Sequence, residues 1–170
     1  SRARRRGVSA GRVRGVGQEM ALTAEQQGWP YGRFLHALTE LELDERRQRV
    51  MPGGWTQLDQ RHGIDVVVVT GAGGRDGEVG DVAVTECRDA VLAVWTGDCA
   101  PIVAVDASGS RLVAAHAGWR GVAGGVIDAA VDALANDVGT VVVGPTIGPC
   151  CYEFSDEDLA AVADGARVDA

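Results

Sequence analysis

Two motifs with chemically reactive side chains each follow a short apolar run that is rich in β-branched residues. Residues 90–95 lead into 96–101 (TGDCAP), and residues 112–115 lead into 116–121 (HAGWRG). Short apolar runs that end in turn residues predict strands, and glycine lets the backbone approach a ligand closely. We therefore expect Cys99 and His116 to face each other at the ends of neighbouring strands.

The rest of the pattern predicts a mixed α/β fold, in which helices cover a largely buried mixed sheet. Further strands are predicted at residues 64–69, 82–85, 102–105 and 141–143, and helices at 35–50, at 122–138 and after Ser155. The run at 64–69 is almost continuously apolar, which is typical of a strand buried on both faces. Gly139 is the expected stop of the second helix, and Ser155 with Asp158 forms a capping-box pattern at the start of the third.

Composition narrows the class of protein. The chain has 170 residues, 46% of them hydrophobic and 24% charged, which indicates one globular domain, placed here at residues 35–170. With 16 basic and 24 acidic residues, the net charge of −8 argues against nucleic-acid binding. No apolar run is long enough to predict a membrane span.

Residues 1–34 are predicted to be an irregular basic segment, because six arginines and no acidic residue fall within the first 14 positions. An arm for an anionic surface and a merely solvated segment are both compatible with this pattern. No apolar signal-peptide core follows the arginines, so we do not expect the protein to be exported.

His62, Cys99 and His116 form a candidate metal site. Two imidazoles and one thiolate are ligands that zinc accepts, and a catalytic zinc keeps a fourth position open for water or substrate. The same residues allow a metal-free mechanism, in which Cys99 is a thiolate nucleophile, His116 or His62 is the base and Asp98 orients it. A third interpretation is structural, with Cys99 a small buried side chain and His116 a core histidine.

Two further features are candidates for substrate contacts. Arg120 lies next to the predicted start of a helix, where a guanidinium can bind an anion such as phosphate, or it forms an ion pair with one of the many carboxylates. The Gly- and Pro-rich loop at residues 144–153 either forms a pocket wall or makes a tight structural turn.

Four segments in this order resemble the bacterial laccase-domain family, also called polyphenol oxidase or multicopper polyphenol oxidoreductase. They are residues 60–63 (QRHG), 96–101 (TGDCAP), 116–121 (HAGWRG) and 147–153 (IGPCCYE), and the resemblance covers about residues 55–155. It implies an α/β sandwich similar to the cytotoxic-necrotizing-factor-like cysteine hydrolases, and a soluble cytoplasmic protein. The chain departs from the family pattern at Ala170, beyond which members of the family are expected to continue into a C-terminal part; a diverged or truncated member and a fragment of a longer protein are both compatible with this.

The resemblance further implies zinc, or copper, bound by His62, Cys99 and His116. The activity it implies is phosphorolysis of adenosine, inosine or methylthioadenosine, with adenosine deamination as a second reaction. Gln60, Asp98 and Arg120 lie within the family's motifs and are expected to bind the nucleoside or phosphate.

True multicopper oxidation is not expected from this chain. A blue-copper site needs two histidines and a cysteine, and a further copper cluster needs more imidazoles, whereas the chain has three histidines. The sequence therefore predicts a metal-dependent purine nucleoside phosphorylase. The alternatives are a metal-free cysteine hydrolase that uses Cys99 and His116, and a catalytically inactive homologue that binds a nucleoside or a partner protein.

Overall fold

The computed structural model describes residues 25–26, 29–30, 45, 47–48 and 52–165. Glu45, Arg47 and Gln48 are helical and fall within the helix predicted at 35–50. The rest of that helix, and most of the segment predicted to be irregular at 1–34, lie outside the described residues. Two short strands, β1 (Glu25–Gln26) and β2 (Trp29–Pro30), pair in an antiparallel arrangement.

The remaining described elements form the mixed α/β architecture that the sequence predicts. Strands and helices follow along the chain as β3 (Trp55–Gln57), β4 (Val66–Val69), β5 (Val82–Thr85), β6 (Val91–Ala93), β7 (Ala100–Asp106), β8 (Leu112–Ala117), α1 (Trp119–Gly124), α2 (Val126–Ala133), β9 (Val138–Val143) and α3 (Asp156–Gly165). Ser155 Oγ accepts the backbone N–H of Asp158 at 3.1 Å, so the predicted cap of the last helix is confirmed.

Five strands form the main sheet, in the order β4-β5-β8-β7-β9. The β4–β5 pair is parallel, whereas β5–β8, β8–β7 and β7–β9 are antiparallel. Because β7 and β8 are antiparallel neighbours, the beginning of β7 meets the end of β8, with Pro101 opposite His116. This register brings the two motifs of the sequence to the same end of the sheet.

Each face of the sheet is covered by a different layer. One face packs under α2, whose buried residues Val126 and Ala130 join Leu134 against Val82, Val113 and other small apolar side chains of the central strands. On the opposite face, Leu58 and Ala90 pack with Val67, Val69 and Ala83. The parallel pair β3–β6 lies close to this second layer, since the partly buried Leu92 of β6 packs against it.

The prediction that residues 64–69 form a strand buried on both faces is wrong in its burial. In β4, Val67 and Val69 are buried, but Val66 and Val68 are 43% and 58% exposed. The reason is position in the sheet. β4 is an edge strand and α2 packs mainly on the central strand β8, so only one face of β4 is packed by the described residues.

The single helix predicted at 122–138 is also wrong in its bounds. The chain forms two helices, α1 and α2, because Gly125 adopts a left-handed φ of +100° between them. Val122 lies before this break and is 44% exposed, so it does not share the buried stripe predicted for it. The turn after α2 is made by Ala135 and Asn136, with φ of 55° and 59°, and Gly139 belongs to β9.

Among the described residues, no helix combines the length and the hydrophobicity that crossing a membrane requires.

Candidate metal centre

His62, Cys99 and His116 come together at one end of the main sheet. Their possible ligand atoms all lie within 4.8 Å of one another, and Cys99 Sγ is 3.7 Å from His62 Nε2. The two imidazole rings meet edge to face, with centroids 4.9 Å apart and planes at 73°. The sequence prediction that these three side chains form one group is therefore matched by the geometry.

The β7–β8 register accounts for the placement of Cys99 and His116. Cys99 immediately precedes β7, while His116 is the second-to-last residue of β8 and pairs with Pro101. Side chains alternate along a strand, so His116 points away from the face on which Ala115 and Ala117 pack under α2. This orientation, in a residue only 3% exposed, directs the ring towards Cys99 and His62.

His62 lies in a turn just before β4 and adopts φ +59°, a left-handed conformation that non-glycine residues rarely take. The turn wraps around the carboxylate of Asp81, which accepts the backbone N–H groups of Arg61 at 3.1 Å, His62 at 3.0 Å and Gly63 at 2.7 Å. Asp81 is 2% exposed, so these three bonds, together with a hydrogen bond from His116, satisfy a buried charge.

Asp81 also contacts the second histidine of the group. His116 Nδ1 lies 2.8 Å from Asp81 Oδ1, and both side chains are almost fully buried. Burial alone would raise the pKa of Asp81, but the hydrogen bonds from His116 and from the N–H groups of residues 61–63 outweigh it and hold the pKa below its ordinary value of 3.8.

Gly118 leaves the space in which the three side chains meet. A Cβ at this position would lie 2.5 Å from His62 Cδ2 and 3.1 Å from Cys99 Sγ, which are closer than side chains normally approach. Gly118 has an ordinary φ of −77°, so the requirement for glycine is one of space and not of backbone conformation. The residue therefore keeps a small cradle open beside the imidazole and the sulfur.

The donor set and its spacing fit a transition metal. Zinc bonds of about 2.0–2.3 Å in tetrahedral geometry put a nitrogen and a sulfur ligand roughly 3.6 Å apart, close to the 3.7 Å between His62 Nε2 and Cys99 Sγ. Thiolate and imidazole suit both zinc and copper. Three protein ligands leave a further position open, which is the arrangement of catalytic sites.

The thiol of Cys99 is not tuned to be a free nucleophile. Burial, followed by the negative charges of Asp98 and Asp81, raises the pKa of Cys99 above its ordinary value of 9.0. A reactive catalytic cysteine requires the opposite shift, because the thiolate is the attacking species. Metal coordination overcomes such a shift by stabilising the thiolate directly.

A cavity of about 800 Å³ opens over the group. Besides the three site residues, it is lined by the aromatic side chains of Trp95 and Tyr152 and by a set of charged residues, Arg47, Asp59, Asp76 and Asp98. Tyr152 belongs to the Gly- and Pro-rich loop, so that loop does contribute to a pocket wall, as one of the two interpretations predicts.

The remaining predicted residues occupy different places. Gln60 lines the cavity, but both ends of its amide bind the backbone of Trp95: Nε2 donates to the carbonyl at 2.7 Å and Oε1 accepts the N–H at 2.8 Å. The carbonyl of Asp98 accepts from Thr146 Oγ1 at 2.6 Å and from Ile147 N–H at 3.1 Å, which ties the loop to the cysteine turn. Arg120 is exposed, stacks 4.3 Å over the Trp119 ring and does not line this cavity.

Sequence reasoning missed Asp81 and Arg47 as parts of this region, and it placed Trp95 directly before the cysteine motif without giving it a role at the site. The only sequence signal for Asp81 is a carboxylate directly before an apolar strand, and its target lies 35 positions away in the chain. Arg47 belongs to a run of charged residues that resembles any solvated helix. Trp95 was treated as the last residue of a strand, whereas β6 ends at Ala93 and the indole is 49% exposed at the cavity.

The fold and the site define an α/β protein with a three-ligand His–Cys–His centre open to a cavity. The model of one protein family, described as multi-copper polyphenol oxidoreductase laccase, matches residues 40–169. The chain therefore belongs to this laccase-like family, as its motifs indicate.

Two similar proteins carry the names of purine enzymes. Purine nucleoside phosphorylase YfiH of Escherichia coli (strain K12) is 33% identical over 124 residues, which cover 68% of this chain and 50% of the relative. Adenosine deaminase RL5, from an unknown prokaryotic organism, is 37% identical over 86 residues, or 48% of this chain and 33% of the relative. The chain spans about half the length of the curated relatives it matches.

Solved structures agree on the fold. The crystal structure of YlmD from Geobacillus stearothermophilus superposes with a TM-score of 0.64 at 28% identity, covering 84% of this chain and 56% of that chain.

Proposed function

We propose that the protein is a zinc-dependent purine nucleoside phosphorylase that cleaves adenosine, inosine or methylthioadenosine with phosphate, and that it also deaminates adenosine. The observation that carries the proposal is the His62–Cys99–His116 group at the floor of a cavity large enough for a nucleoside. The names of the relatives indicate purine chemistry, and the absence of a membrane-spanning helix among the described residues is compatible with a cytoplasmic location.

His62 Nε2, Cys99 Sγ and His116 Nε2 would hold the metal, because the Nδ1 atom of His116 is already bonded to Asp81. When bound, zinc supplies Lewis acidity towards an oxygen of phosphate or water. Copper is the alternative ion for the same ligands.

The chain's own side chains bind and orient the nucleoside. Trp95 and Tyr152 both line the cavity and offer aromatic faces on which a planar purine can stack. Gln60 fixes the backbone of Trp95 from both sides, so the indole belongs to a rigid segment. The carboxylate of Asp98, next to the metal ligand Cys99, can accept a hydrogen bond from a ribose hydroxyl or from the base.

Charge limits where phosphate can bind. Among the described residues that line the cavity, three carry a carboxylate and one, Arg47, carries a guanidinium, so an anion is repelled from most of this wall. We propose that phosphate binds between the metal site and Arg47, with Arg120 as the alternative anchor that the sequence indicates.

Phosphorolysis requires the purine to act as a leaving group. In phosphorolysis a phosphate oxygen forms a bond to C1′ of the ribose while the bond from C1′ to the purine nitrogen breaks. The purine leaves with the bonding electrons and takes up the proton that the attacking hydrogen phosphate loses. A stacked base held by Trp95 and Tyr152 is oriented for this cleavage.

The test combines metal analysis with product analysis. Freshly purified protein is assayed for zinc and copper and then incubated with adenosine, with and without phosphate. Release of adenine that depends on phosphate, and that is lost on chelation and restored by zinc, supports the proposal. Formation of inosine and ammonia measures the deaminase reaction in the same samples.

Two cysteine variants sharpen the test. Cys99→Ala should lose both metal and turnover, whereas Cys87→Ala, which alters a partly buried thiol packed against Leu58, Val67 and their neighbours, should keep both. Turnover that survives chelation but is lost in Cys99→Ala would instead support the metal-free cysteine hydrolase. A folded protein with neither metal nor turnover would support the inactive homologue.

A further inference from the structure

We propose that Asp81 is the positioning residue of the metal centre: one carboxylate fixes the ring proton of His116 and, at the same time, the turn that carries His62. The inference rests on the metal site of the proposed function for its purpose, but its evidence lies entirely in the bonding of the chain itself. Asp81 hydrogen-bonds to both histidines, and Asp81 itself is not one of the residues that line the cavity.

Asp81 determines which ring nitrogen of His116 carries the proton. An ionised carboxylate only accepts hydrogen bonds, so the 2.8 Å contact requires the proton of the neutral imidazole to be on Nδ1. The Nε2 atom then keeps its lone pair for the site that Cys99 and His62 share. This is the arrangement in which a carboxylate behind a ligating histidine sets its tautomer and ring orientation.

Asp81 also holds the turn that carries His62. Three successive N–H groups, those of Arg61, His62 and Gly63, converge on the two oxygens of Asp81. Such a concave row of N–H groups binds an anion, and here the anion is a side chain. Its attraction holds His62 in the left-handed conformation that places the imidazole over Cys99.

Asp81 is itself held firmly by the sheet. It directly precedes β5, its carbonyl accepts the N–H of His116 at 2.8 Å, and its N–H donates to the carbonyl of Asp65 at 3.1 Å. The carboxylate therefore transmits the geometry of the main sheet to a residue that lies outside it.

The test begins with the wild-type 170-residue chain, freed of metal and labelled with ¹⁵N-histidine. The chain has three histidines, so His36→Gln and His62→Gln variants assign the ring signals. With the rings neutral, we expect His116 to carry its proton on Nδ1. A proton on Nε2 of His116 would overturn the inference without any substitution at Asp81.

The variant Asp81→Asn then tests the cause. All the groups that contact the carboxylate donate hydrogen bonds, so the amide nitrogen of asparagine must face a donor. We expect loss of the Nδ1–H signal of His116 and zinc affinity that is about 10- to 100-fold weaker, the usual effect of removing such a partner. Retention of both the signal and the affinity would contradict the inference.

Asp106→Asn is the matched control. Asp106 is likewise held by several donors, Ser108, Ser110 and Arg111, but it lies at the opposite end of β7 from Cys99. It should keep the tautomer of His116 and bind zinc as the wild type does. In a further outcome, the wild type shows the Nδ1 proton and Asp81→Asn loses it, while the wild type and both variants all fail to bind zinc. In that case the inference about Asp81 stands and the proposed function fails.

Discussion

Gly118 controls how closely the ligands of the site approach one another. We predict that Gly118→Ala weakens zinc binding about tenfold or more, because the new methyl group would occupy the space of the His62 ring and crowd Cys99. Gly71→Ala is the control, since a Cβ there meets nothing within 4 Å. Isothermal titration with zinc measures the difference. Equal affinities in the two variants would contradict the claim that Gly118 keeps space open beside His62 and Cys99.

The acidity of Cys99 is a second property set by single residues. Burial and then the charges of Asp98 and Asp81 raise the pKa of the thiol, so Asp98→Asn should lower that pKa towards its ordinary value. We predict that metal-free Asp98→Asn reacts faster with iodoacetamide at pH 7.5, because a larger fraction of Cys99 is then thiolate.

The alkylation rate is followed by mass spectrometry of the peptide that contains Cys99. Asp76→Asn is a suitable control, because Asp76 lines the same cavity but is not among the charges that act on this thiol. An unchanged rate in Asp98→Asn would show that the charge of Asp98 does not affect the acidity of Cys99, which leaves burial and the charge of Asp81 as its causes.

At the scale of elements, α2 covers one face of the main sheet. Leu134, which follows it directly, is 1% exposed and packs among small strand residues. We predict that Leu134→Ala lowers the free energy of unfolding by about 2–5 kcal/mol, through lost burial and the cavity left behind. Leu159→Ala in α3, at a position 51% exposed, should change it by less than about 0.5 kcal/mol in urea unfolding.

The turn between β7 and β8 makes stability depend on pH. Partial burial would raise the pKa of Asp106, but hydrogen bonds from Arg111, Ser108 and Ser110 lower it to about 2, against 3.8 ordinarily. A depressed pKa stabilises the fold above the unfolded value and loses this effect as the carboxylate is protonated.

We therefore predict that the wild type is more stable than Asp106→Asn at pH 6, and that the difference disappears between about pH 4 and pH 2. Urea unfolding of both proteins across this range measures it. A difference that stays constant down to pH 2 would assign the effect to packing of the turn and not to charge.

The sequence predicted the elements well where local pattern decides them. The strand at 82–85 has the predicted bounds, and those at 102–105 and 112–115 lie within β7 and β8. The errors arise where the position of a residue in the tertiary structure, and not the local sequence pattern, decides the outcome. Alternating exposure in β4 depends on its place at the edge of the sheet, and the break at Gly125 depends on a glycine that a helical period alone does not distinguish from a tolerated one.

The candidate site was predicted in part for a similar reason. His62, Cys99 and His116 are rare residue types at or near glycines, and they lie in motifs that resemble those of the family, so the sequence could group them. Asp81 could not be found in this way, because the chain has 24 acidic residues and only the β5–β8 register shows which one faces His116. Gln60 was predicted to contact substrate, and its hydrogen bonds to the Trp95 backbone are equally invisible in sequence.

At the scale of the whole molecule, the metal site links parts that are distant in the sequence. Zinc that binds the folded protein but not the unfolded chain should stabilise it by about 2.7 kcal/mol at a free concentration 100 times the dissociation constant. For a chain of this length, we predict a rise in melting temperature of roughly 5–10 °C.

Calorimetry with zinc and then with excess chelator measures this rise and its reversal. Cys99→Ala should show little rise, whereas Cys87→Ala should behave as the wild type. An equal rise in Cys99→Ala would mean that zinc stabilises the protein from somewhere other than the His–Cys–His group.

The turn around Asp81 has a consequence for how the ion is acquired. Because N–H groups and a carboxylate of the chain already hold His62 and His116 in place, folding does not have to wait for the ion. We expect loading to be a late and reversible exchange with the surrounding solution. The metal ion found in a purified sample would then depend on the last buffer in which the protein was kept. Zinc and copper could replace each other while the polypeptide stays folded.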